Sequence, residues 1–94
     1  MKISTIDINA KEWFDKINGN SYFSAVITLN FGMDDCKSIE IPFTYGYGGY
    51  SRQYSFEKLY ELGYISSPKY WEIDKNIIVR YNKQENCKKR DLIK

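Results

Sequence analysis

Ninety-four residues, 43% apolar and 17% aromatic with a net charge of +2, fit one domain whose small core buries roughly 60 to 65% of the unfolded chain's surface. The longest uncharged apolar run, Tyr22 to Phe31, is broken by Ser24, Thr28 and Asn30 and falls far short of the roughly 20 residues of a membrane-spanning helix. There is no histidine, and Cys36 and Cys87 stand 51 positions apart with no CxxC pair, which nearly excludes zinc and disfavours catalysis by a nucleophile that needs a histidine base.

The amino terminus, Met1 to Ile8, lacks the long apolar stretch and small-residue cleavage site of a signal peptide, so a cytoplasmic protein with its cysteines as free thiols is expected. Lys2 to Ile8 is a candidate strand. Asn9, with Glu12 three positions later, reads as a helix cap, Trp13 and Ile17 share one helical face, and Asn18-Gly19 supplies a stop; this predicts a short helix of about ten residues. From Ser21 to Phe31 the odd positions Phe23, Ala25, Ile27, Leu29 and Phe31 are apolar, the period of a half-buried strand. After a turn at Gly32 to Lys37, alternation resumes through Ile39, Ile41, Phe43 and Tyr45. The two runs predict an antiparallel hairpin with Phe43 and Tyr45 in the core and, because Pro42 has no N–H, the second run at a sheet edge.

Beyond the segment Gly46-Tyr-Gly-Gly-Tyr-Ser-Arg-Gln-Tyr54, a cap at Ser55, apolar Phe56, Leu59 and Tyr60 and a terminal Gly63 predict a second helix. Tyr70 to Ile73 and Asn76 to Asn82 read as two more strands joined by a turn at Asp74 to Asn76, and Trp13 and Trp71 as core anchors. The expected fold class is α+β: a small antiparallel sheet of four to five strands with two short helices packed on one face. The chain is expected to be a single domain, 1–94, ending in a basic tail over about 83–94.

Charge is unevenly spread: residues 1–50 carry four lysines and six acidic groups, residues 51–94 ten Lys or Arg and six acidic groups. The tail contributes a local +3, in which Lys88, Lys89 and Arg90 are candidates for contact with nucleic acid or an acidic surface; a solvated tail is the plainer reading. Gly46-Tyr-Gly-Gly49 is not a phosphate loop, lacking GxGxxG, Gly-Lys-Ser/Thr and an immediately following helix. It matches the aromatic segment of an RNA-recognition motif only loosely, without the leading basic residue, so single-stranded nucleic acid stands as an alternative partner. Tyr47, Tyr50, Arg52 and Tyr54 are instead the candidate partner-binding residues, because Tyr and Arg concentrate at interface hot spots. Asp34-Asp35 and Glu57/Glu61 form no convincing catalytic pair or metal site, and no cofactor is implied.

Three segments, Lys11-Glu-Trp-Phe-Asp-Lys-Ile-Asn-Gly-Asn-Ser-Tyr-Phe-Ser24, Pro42-Phe-Thr-Tyr-Gly-Tyr-Gly48 and Asn86-Cys-Lys-Lys-Arg-Asp91, together resemble a group of small bacteriophage-encoded proteins. The resemblance spans most of the chain and implies a phage origin. By analogy with small phage accessory proteins it implies a non-enzymatic inhibitor of a host protein or nucleoprotein complex, such as a restriction or CRISPR system. A small phage structural or assembly protein is a further alternative.

Overall fold

The computed structural model describes residues 2–94 and builds a four-stranded sheet, one α-helix and two short 3-10 turns. The strands are β1 (Thr5–Asp15), β2 (Asn20–Leu29), β3 (Lys37–Tyr45) and β4 (Ile78–Gln84), and the helix is α1 (Tyr50–Glu61). β1, β2 and β3 form an antiparallel meander; after α1 the chain returns so that β4 joins the far edge, parallel to β1, in the order β3-β2-β1-β4. The α+β class is the one expected. The sheet is mixed where an antiparallel one was expected, because β4 reaches its place by a helical crossover rather than by a hairpin.

The core lies on the face beneath α1. Alternate positions of three strands meet there: Ile6, Ile8 and Ala10 of β1, Phe23, Ala25, Ile27 and Leu29 of β2, and Ile41 of β3, closed over by Phe56 and Leu59 of α1. Ile39, Tyr54, Tyr64, Ile65, Ile73 and Tyr81 seal its rim.

The first predicted helix is instead the second half of β1. Residues 6–15 pair one for one with β2, from Ile6 opposite Leu29 to Asp15 opposite Asn20. A ten-residue helix is marginal without a docking surface, whereas the strand gains a full ladder and inward positions for Ile6, Ile8 and Ala10. Asn18-Gly19 belongs to the hairpin tip, with Gly19 at φ 71. Asn-Gly is as good a hairpin signal as a helix stop.

Three later expectations also change. The helix begins at Tyr50 rather than at Ser55, which sits inside it with its hydroxyl donating to the Ser51 carbonyl (2.7 Å). The helix ends as expected near Gly63, whose φ of 85 fits a left-handed stop. Tyr70–Glu72 is a 3-10 turn and not a strand, so the turn at 74–76 leads into β4 instead of joining a hairpin.

The aromatic side chains at the end of β3 point away from the core. β3 follows the expected alternation as far as Ile41 opposite Ala25, but Thr44 then stands opposite Phe23. β3 therefore spends three steps where β2 spends two, a bulge at Pro42 and Phe43 that reverses the side-chain parity beyond it. Phe43 and Tyr45, expected in the core, emerge on the sheet face opposite α1, and Tyr45 is 60% exposed. Neither tryptophan is a core anchor: Trp13 is half-buried on that same open face and Trp71 is 68% exposed.

The open face is crossed by the carboxy-terminal segment, which is an ordered strap rather than a solvated tail. The Cys87 amide donates to the Glu12 carbonyl (3.0 Å), Ile93 donates to the Ser24 hydroxyl (3.0 Å), and the Phe43 amide freed by the bulge donates to the Ile93 carbonyl (2.7 Å). Leu92 is buried, outside the cluster beneath α1. The strap thus runs from β4 at one edge to β3 at the other.

Candidate functional site

The bulge assembles a stack from three strands. Tyr22 lies against Phe43 (ring centroids 4.7 Å apart, planes 20° apart) and against Trp13 (5.6 Å, 24°). Tyr45 stands edge-on to Tyr22 at 5.6 Å. The Lys89 ammonium sits 5.6 Å from the centre of the Trp13 ring, within cation–π range. Of the three basic tail candidates, Lys89 therefore joins the aromatic stack, while Lys88 and Arg90 are exposed on either side of it in the chain.

A second aromatic group surrounds the start of α1. The chain leaves β3 through Gly46, whose amide donates to the Ser21 carbonyl (3.0 Å). A methyl group on Gly46 would overlap the Tyr50 ring and press on Phe23, so glycine there allows Tyr50 to fold back on the sheet. Tyr50 and Tyr54, one helical turn apart, both meet Phe23 edge-on, at 6.0 Å and 5.8 Å. Tyr54 is half-buried against the core, and Tyr47, in the glycine turn, is 73% exposed.

Arg52 lies between two rings, its guanidinium carbon 4.1 Å from the Tyr70 centroid and 5.7 Å from that of Tyr81. It has no ion-pair partner among the described residues, and its Nε is out of water without an acceptor. The hydroxyls of Ser51 and Tyr81 share a hydrogen bond that ties the first turn of α1 to β4. That turn has no side-chain cap and no acidic residue.

The structure thus gathers Tyr47, Tyr50 and Arg52 around one open groove of about 620 Å³, together with Tyr45, Gln53 and Tyr70. Tyr54 does not line this groove; it supports Tyr50 from below, ring centroids 5.9 Å apart. Tyr45 connects the two aromatic groups. Trp13 and Phe43 were expected in the core, and neither Tyr22 nor Tyr70 was given a contact role. Reading Lys11 to Asp15 as strand would have put Trp13 at the same parity as the polar positions of that strand, as Tyr22 already stood in its own. Nothing local announces Tyr70, which meets Arg52 only through the crossover.

Lys83 and Arg80 are already paired with carboxylates. Lys83 donates to the Gly48 carbonyl (3.0 Å), pinning the glycine turn, and pairs with Glu85 (3.2 Å) and Glu12 (3.6 Å). Burial presses its ammonium pKa down, but the two carboxylates outweigh that and leave it above the usual lysine value. Arg80 makes two hydrogen bonds to Asp7 (2.6 and 3.0 Å), which raise its already high pKa. At the hairpin tip the Asn18 side chain, joined by the backbone amides of Asn18 and Ile17, holds the Asp15 carboxyl below its usual range.

A larger depression, about 780 Å³, lies at another part of the surface, with Lys2, Glu72 and Asp74 among its walls. Its charges have both signs and no aromatic group converges on it except Tyr64, so it offers less to a specific ligand than the smaller groove. Among the described residues no group of three or more Cys, Asp or Glu is placed to hold a metal ion, Cys36 and Cys87 are free thiols, and no helix is long and apolar enough to cross a membrane. Comparison with protein-family models, curated proteins and solved structures finds no match.

Proposed function

We propose that this chain is a non-enzymatic phage accessory protein that binds and inhibits a host protein or nucleoprotein complex, using the aromatic end of its sheet as the contact surface. The observation that carries the reading is the grouping of exposed Tyr45, Tyr47 and Tyr50 around Arg52, a cation without an ion partner among the described residues. Large rings with few rotatable bonds and an arginine are the usual anchors of protein interfaces. The phage origin and a bacterial defence system, such as restriction or CRISPR, as the target come from the resemblance of the three sequence segments and from analogy.

Tagged protein, expressed in a bacterial host and purified with its bound partners, tests this. A stoichiometric partner whose activity falls on binding, and which is lost from a Tyr47→Ala/Tyr50→Ala variant, is the expected result. A partner retained undiminished by that variant would remove the groove from the interface.

A second reading has its own support. The Trp13–Tyr22–Phe43 stack with Lys89 beside it stays partly open on the sheet face that the strap crosses, an arrangement on which bases of a single strand could stack. It predicts binding of labelled oligothymidylate that weakens with salt, with a shallower slope when Lys88, Lys89 and Arg90 are replaced by Gln. Fluorescence polarisation unchanged at low salt would dismiss it.

A further inference from the structure

We infer that the groove at the start of α1 receives an acidic side chain of a protein partner, with Arg52 as its ionic anchor. This rests on the protein-binding reading above and names the chemistry of the group bound. Arg52 is the one charged residue among those that line the groove; the rest of the wall is tyrosine, glycine and Gln53. A guanidinium brings five N–H donors and no acceptor, and this one is held on the faces of Tyr70 and Tyr81 with, among the described residues, no carboxylate in ion-pair reach and no acceptor at Nε. Nε is shut away from water, so an incoming carboxylate would meet the Nη groups of the fork. The two rings flank the guanidinium, whose planar fork suits a carboxylate.

Charge complementarity then selects the occupant. Lys83, the nearby cation that pins Gly48, is already paired with both Glu85 and Glu12, so Arg52 is the one cation lining the groove and has no ion-pair partner among the described residues. A nucleic-acid strand is followed by a row of cations along its phosphates; one cation walled by Tyr45, Tyr47, Tyr50 and Tyr70 suits one carboxylate flanked by apolar or aromatic groups. The partner surface is therefore an Asp or Glu beside an aromatic residue.

The test is a titration of the isotopically labelled full chain, followed by backbone amide shifts, with two capped probe peptides: Gly-Tyr-Asp-Asp-Tyr-Gly and its Asn-Asn counterpart. The acidic peptide should shift the amides of Gly46, Gly48, Tyr50 and Arg52 and bind roughly tenfold tighter than the neutral one. Arg52→Gln should bring it down to the level of the neutral peptide, and Arg52→Lys should fall between, since it keeps the charge and loses the planar fork. Absence of groove shifts at about 10 mM acidic peptide, at the weak end of measurable affinity, equal binding of the two peptides, or tighter groove binding by oligothymidylate would each overturn the inference. If Arg52→Gln does not fold, the peptide pair on the parent protein and Arg52→Lys still decide it. A cellular partner that is lost from Tyr47→Ala/Tyr50→Ala but kept at full level by Arg52→Gln would leave the aromatic interface standing and remove the ionic anchor; loss in neither would remove both.

Discussion

The two faces of the sheet are built from the same strands and solve different problems. Under α1 the side chains are aliphatic, fully enclosed and regular: Ile6, Ile8, Ile27 and Leu29 have no exposed surface. On the other face Trp13, Tyr22 and Phe43 stack while remaining partly open, and the cover is an irregular strap of residues 85–93 rather than a helix. The first face holds the fold by excluding water from area that alternation places inside. The second gives up some of that burial to hold flat rings where a partner can reach them.

The enclosed face should respond most to truncation. Ile27→Ala is expected to cost about 2–5 kcal/mol in urea denaturation followed by circular dichroism. A cost below about 1 kcal/mol, the range of a surface change, would erase the distinction between the faces. Leu92→Ala should cost less, about 2 kcal/mol, because the strap can relax into the space. Faster amide exchange at Phe43 and Cys87 is its specific signature, and unchanged exchange there would separate Leu92 from the strap's hydrogen bonds.

Phe43→Ala should be milder still, about 1–2 kcal/mol from lost stacking and area, with a red shift in the fluorescence assigned to Trp13 by comparison with a Trp71→Phe protein. Smallest is the pH response of the hairpin tip. The Asp15 pKa is lowered in the folded chain, so its contribution is present above the ordinary carboxylate value of about 3.9 and is lost as pH falls through the lower folded value. At pH values below that lowered folded value the amides of Ile17 and Asn18 should lose exchange protection while those of Ile8 and Ile27 keep theirs; simultaneous loss would mean that the tip and the core open together.

Different parts of the molecule were legible in the sequence to different degrees. The period-two run from Phe23 to Leu29 identified a half-buried strand because each apolar side chain reports its own face. The same rule failed beyond Pro42, where one extra residue in β3 turned Phe43 and Tyr45 outward. Lys11 to Asp15 carried helix signals, and pairing with β2 overrode them. Of the candidate contact residues, Tyr47, Tyr50 and Arg52 share a groove and Tyr54 supports it from the core side, but their companion Tyr70 is eighteen positions from Arg52 along the chain and joins only through the crossover.

What the sequence determined by itself is the α+β class and the aliphatic face, since hydrophobic periodicity is a local property that survives whatever the partners are. The tertiary structure decided the direction of β4, the outward turn of the aromatic rings and the isolation of Arg52. Each of these depends on which distant segments meet, and strand register and bulges are set by that meeting rather than by any stretch of residues alone.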